Sequence, residues 1–125
     1  MITLAPEPDD GIIQVVSVGE ASRAEIDAHY DALRKLIAEF RAVGRPVRVL
    51  SDQTRAVRLP DELSYHLKSQ IEQTYGPADR LALVMGSEPD RAYAKSVLGI
   101  ANYAVFESRM AAEMWLMEPA MRPPR

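Results

Sequence analysis

The run Leu81-Ala82-Leu83-Val84-Met85 decides the fold. Five consecutive apolar residues closed by Gly86 are far too few for a membrane span and read as a strand covered on both faces at the centre of a sheet, as in parallel sheets flanked by helices. The flanking residues support that reading. Ser87 is placed as an N-cap, Pro89 as a first-turn proline and Asp90 as a first-turn acid, ahead of Tyr93, Val97, Ile100 and Ala104 on one helical stripe. On the other side, Leu63, Leu67, Ile71 and Tyr75 recur four apart after Pro60 and stop at Gly76-Pro77, which predicts a helix entering the strand.

The same alternation continues in both directions. Pro46 opens Val47 to Leu50, expected as a brief third strand stopped by Ser51, Asp52, Gln53 and Thr54. Before it, Ser22 with Glu25 forms a capping box for a long helix carrying Ile26, Tyr30, Leu33, Ile37 and Phe40 and ending near Gly44. At the start, Ile2 to Leu4 and the β-branched run Ile12, Ile13, Val15, Val16, Val18 flank a turn-rich loop through Pro8 and Gly11, predicting two antiparallel neighbours. Val105 and Phe106 suffice for a short edge strand, and Ser108 caps a last helix running to Met117. The order is ββαβαβαβα. It predicts an α/β fold with a small mixed, mostly parallel sheet of about five strands and about four helices in three layers. Residues 1–117 form one domain, and Pro119, Pro123 and Pro124 make 118–125 a flexible tail.

A chain of 125 residues has room for one core. Fifteen Lys and Arg against eighteen Asp and Glu leave a net charge of −3, which argues against nucleic acid or an anionic membrane surface as partner. With no cysteine, disulfides and thiolate chemistry are excluded and a reducing cytoplasm is allowed. No apolar run is long enough for membrane insertion, and Met1 leads into no basic-then-apolar signal pattern, so the protein is expected to be cytoplasmic.

Catalytic signatures are missing. The chain has no GxSxG elbow, no phosphate-binding loop ending in Gly-Lys-Ser or Gly-Lys-Thr and no GxGxxG after a strand. A phosphoacceptor receiver lacks its acidic pair after the second strand and its late lysine, since none follows Lys95. His29 and His66 fit no metal-ligand spacing; Glu62 and His66 are four apart but two ligands are too few, so no metal and no cofactor is expected. The carboxyl ends of the strands are where ligands meet open α/β sheets, and this rim offers Ser51, Asp52, Gln53, Thr54, Ser87, Glu88, Glu107 and Ser108. Asp52 or Glu107 could serve as acid or base, and the amides near Ser87 as an anion seat. The plainer and preferred reading is that Ser87 and Ser108 cap helices and Asp52 closes a turn.

The last helix is apolar on two sides. At about 100° per residue, Ala112, Trp115 and Leu116 share one side while Met110, Met114 and Met117 gather nearly opposite. The first group suits a core. The methionines are either an adaptable contact surface or are covered by a loop or by the tail with Met121.

The element order, the strand Leu81 to Met85 and the ending Val105-Phe106-Glu107-Ser108-Arg109-Met110-Ala111-Ala112-Glu113-Met114-Trp115-Leu116 resemble the SpoIIAA-like, or STAS-like, family over almost the whole chain. The resemblance implies a helix-wound sheet and a role like that of anti-sigma-factor antagonists, which are switched by phosphorylation of a serine at the start of the helix after the third strand. Here the corresponding stretch, Leu50 to Leu59, lacks the Asp-Ser-Ser-Gly-like run of the switch; Ser51 and Thr54 are its nearest hydroxyls. A distant relation to lipid-carrier domains leaves open an apolar ligand beneath a helix, although the chain is short for an enclosed cavity. The expectation is a non-catalytic regulatory or protein-binding module that acts on a protein partner or on itself as a homodimer. Its regulatory residues would be Ser51, Asp52, Thr54 and Ser87, and its contact residues Met110, Met114 and Met117. The alternatives are a binder of a small apolar or anionic ligand at the strand-end rim and, behind it, an uncharacterised enzyme.

Overall fold

Helix α1 (Arg23–Ala42) shows how the local signals act. The Ser22 hydroxyl accepts from the Glu25 N–H at 3.1 Å, as an N-cap should. The reciprocal half of the capping box is diverted: the Glu25 carboxylate accepts from the Ile2 N–H at 2.9 Å and lies 3.3 Å from the N-terminal ammonium. At the far end Gly44, with φ of 71°, donates to the Arg41 carbonyl while Arg45 donates to Phe40, a Schellman closure that a residue with a side chain adopts only with strain.

The structure, a computed structural model, describes residues 1–6, 11–98 and 102–119. β1 (Ile2–Pro6) pairs antiparallel with β2 (Ile13–Gly19); β3 (Arg48–Ala56), β4 (Arg80–Val84) and β5 (Tyr103–Phe106) are added in parallel, in the spatial order β1-β2-β3-β4-β5. Between them lie α2 (Asp61–Thr74) and α3 (Glu88–Val97), and α4 (Arg109–Leu116) comes after β5. The element order is the one expected. Because each parallel strand is added on the same side of its predecessor, crossovers of one hand put α1, α2 and α3 on a single face of the sheet. That face packs Leu33, Ile37, Ile71 and Ala94 against Ile13, Val49, Leu81 and Leu83. The other face is left to α4, whose Ala112 and Leu116 meet Leu50, Ala82 and Val84.

Two boundaries and one position in the sheet differ from expectation. β3 does not stop at Leu50 but runs to Ala56, because β2 satisfies its backbone out to Gly19↔Ala56 and its polar side chains find partners on both faces. α3 ends at Val97, and Ala104 belongs to β5, where it pairs with Ala82; the ladder gives its backbone partners that an extended helix would forgo. Ile100 lies outside the described residues. β4 is buried on both faces, as its apolar run requires, but sits next to the edge strand β5 while β3 takes the centre. Of the tail, Glu118 and Pro119 are described, and their carbonyls accept from the Arg80 guanidinium at 2.8 Å each. Residues 120–125, Met121 included, lie outside the described residues.

Candidate functional site

Alternation along β3 divides the residues grouped at the rim by sequence. Ser51 and Gln53 point to the α1–α3 side, and Asp52 and Thr54 to the α4 side. They also stand within the strand rather than beyond its end, since β3 continues to Ala56. Ser87 joins neither group: its hydroxyl accepts from the Asp90 N–H at 3.3 Å and caps α3. Ser108 does the same for α4, accepting from Ala111 N–H at 3.2 Å.

On the α1–α3 side there is a hollow of about 150 Å³. Its walls come from α1, α2, α3 and the facing side chains of β2, β3 and β4, among them Ile26, Leu67, Ile71, Leu83 and Ala94. The hollow is a pocket open toward Met1 and Val57, in keeping with a chain too short for an enclosed cavity: three helices of unequal length bridge the same face and do not close completely over it. One wall is polar. Gln53 Nε2 donates to Ser51 Oγ at 2.6 Å and to Ser17 Oγ at 3.1 Å, linking β3 to β2 beneath the hollow. His29, Tyr30 and Tyr75 also border it. Burial pushes the His29 pKa down to about 4 and raises the two phenols well above their ordinary value, so all three are neutral near pH 7.

The α4 side carries charge. Arg109 donates to the Oε1 of buried Gln14, lies 3.9 Å from Asp52 Oδ2, and pairs with Glu113 at 3.3 Å one turn on. Asp52 Oδ1 in turn accepts from Thr54 through its N–H at 3.0 Å and its hydroxyl at 2.6 Å. Beyond this network Met110, Met114 and Met117 are 73%, 68% and 49% exposed, while Ala112 and Leu116 on the opposite side of the helix are fully buried. Glu107, considered as an acid or base, is exposed at the β5–α4 junction.

His66 does not meet Glu62. Its Nε2 lies 2.5 Å from Asp27 Oδ1 on α1, which also accepts from Gln70 at 2.8 Å. The pair holds the Asp27 carboxyl below its ordinary range, through His66 first and Gln70 second. Among the described residues no three His, Asp or Glu side chains converge as metal ligands.

Two solved structures share this arrangement of strands and helices. One is the anti-sigma factor antagonist SpoIIAA in its unphosphorylated form, with a TM-score of 0.60 at 11% identity over 91% of this chain and 94% of that one. The chain has a SpoIIAA-like, or STAS-like, fold. The other is an uncharacterised DUF3478 protein with a SpoIIAA-like fold from Shewanella loihica PV-4, with a TM-score of 0.57 at 19% identity over 93% of this chain and 92% of that one. No family model and no curated protein matches the sequence. In this SpoIIAA-like chain, sequence reasoning missed Ser17, Gln14 and Arg109. Ser17 and Gln14 were legible only as polar residues breaking the apolar run of β2, and Arg109 only as the first residue of a capped helix.

Proposed function

We propose that the protein is a non-catalytic regulatory module that works in the cytoplasm by protein contact through α4, binding either a protein partner or a second copy of itself. The observation that carries this reading is the exposure of Met110, Met114 and Met117 on a helix whose opposite side is core. Exposed apolar side chains grouped on one short helix mark contact surfaces, and methionine adapts to imprecise partners. The fold supports it in general terms, since one solved relative in shape is named an anti-sigma factor antagonist. A protein without cysteine also suits a reducing compartment. Asp52, Thr54 and Arg109 would flank the contact and supply its polar edge. Ser51 and Ser87, on the other side of the sheet and at the α3 cap, would influence it only indirectly.

Met114→Asp is the test. Light scattering across a concentration series, with capture of binding proteins from the native host, should show a loss of association or of a specific captured partner, with the circular dichroism spectrum unchanged. Identical association and capture in the two proteins would refute the contact face.

A further inference from the structure

The hollow beneath α1, α2 and α3 has features that packing alone does not require. Ser51 lies on the central strand between Val15 and Leu83, its register neighbours, and is 7% exposed. A valine there would extend the apolar wall and fill part of the space. Instead the chain holds three polar side chains together there: Ser51, Gln53 and Ser17. Both Nε2 hydrogens of Gln53 are used, one on each serine, so each hydroxyl acts as acceptor and retains its own proton to donate. Among the described residues neither proton has a side-chain or backbone acceptor. On the sheet side, two hydroxyl donors therefore border a mainly apolar hollow, with the His29, Tyr30 and Tyr75 rings on its helix side.

Among the described residues no Asp, Glu, Lys or Arg side chain lines the cavity, and the Met1 ammonium at its mouth is already held by the Val18 carbonyl and Glu25, which disfavours a charged occupant. Its volume, about 150 Å³, suits a single small ring or a short branched chain. Met1 and Val57, 65% and 50% exposed, stand among its lining residues, so it reaches the surface where the N-terminus passes the end of β3.

We propose that this hollow binds a neutral, mainly apolar molecule of about six to ten heavy atoms carrying one carbonyl oxygen, which accepts from the Ser51 and Ser17 hydroxyls. The apolar part lies against Leu83, Ile71, Ala94 and Leu67, and the oxygen completes the hydrogen bonding of the serine pair. The site is separate from the methionine face, which lies across the sheet, so the two stand or fall independently.

Acetophenone and ethylbenzene, nearly equal in shape and different in one carbonyl, are suitable probes. Titration calorimetry on the full chain should give saturable binding of one acetophenone per chain, roughly tenfold tighter than ethylbenzene. In Ser51→Ala that ratio should shrink to within about twofold while ethylbenzene still binds. Ala94→Leu, which adds bulk inside the hollow, should bind neither probe, and Met114→Asp should bind both as before. Absence of saturable binding to the unmodified protein overturns the proposal. So does equal affinity for the two probes, or a ratio that survives Ser51→Ala. Should Ala94→Leu fail to fold, the Ser51→Ala ratio alone decides.

Discussion

The two faces of one sheet are built on different terms. The α1–α3 face carries the larger core and leaves a hollow lined by neutral side chains. The α4 face carries a small core under eight helical residues, has the Arg109 network beside it, and exposes three methionines. The strands between them are common to both faces, so the contrast comes from coverage. Sequential strand order commits every crossover helix to one side and leaves the other to whatever chain remains after β5. A face covered by surplus chain stays partly open, whereas a face covered by three helices becomes the structural centre and can keep a pocket.

Substitutions that weaken one face at a time sharpen this contrast. Leu33→Ala, at a fully buried α1 position, should cost about 4 kcal/mol in urea denaturation, because α1 spans the large core and cannot collapse into the gap. Leu116→Ala should cost about 3 kcal/mol, with early amide exchange confined to α4 while β2 to β4 stay protected. Global loss of protection in that variant would show that the two faces are not separable.

Acid should act first on the α1–α3 face. His29 protonates near pH 4 when folded and near 6.5 in a free chain. Between those values the unfolded chain binds more protons, so stability is intact above pH 6.5 and falls by about 3 kcal/mol as pH drops to 4. His29→Phe should flatten this slope. Asp27 acts in a lower window: its carboxyl is depressed below 3.8 by His66, so its contribution persists above that value and is lost only in stronger acid. On the α4 face, Arg109→Ala should cost about 1 kcal/mol, since it leaves the buried Gln14 oxygen without its donor. Thermal melts at low and high salt should differ little, because the pairing with Asp52 at 3.9 Å is half-exposed and weak.

Much of the scaffold was legible beforehand for reasons that can be named. Ile26, Tyr30, Leu33, Ile37 and Phe40 show a helical face, each about one turn from the next, and Ser22, Ser87 and Ser108 mark starts through bonds three residues long. The site was less legible. Ser51 to Thr54 read as a strand stop because local preference favours turns there, yet neighbouring strands on both sides kept them extended and sent alternate residues to opposite faces.

The sequence by itself determined the order of elements, the buried sides of α1 and α2 and the two-sided character of α4, since these depend on periodicity and caps acting over a few residues, whereas on α3 the buried residue is Ala94 rather than the expected stripe. Only the tertiary structure decided how far β3 extends, that Gln53 reaches Ser17 from 36 residues away, that Arg109 meets Gln14 from 95 away, and that three helices leave a hollow between them. Ladder hydrogen bonds and packing volume belong to pairs of distant segments, and no stretch of a single strand carries them.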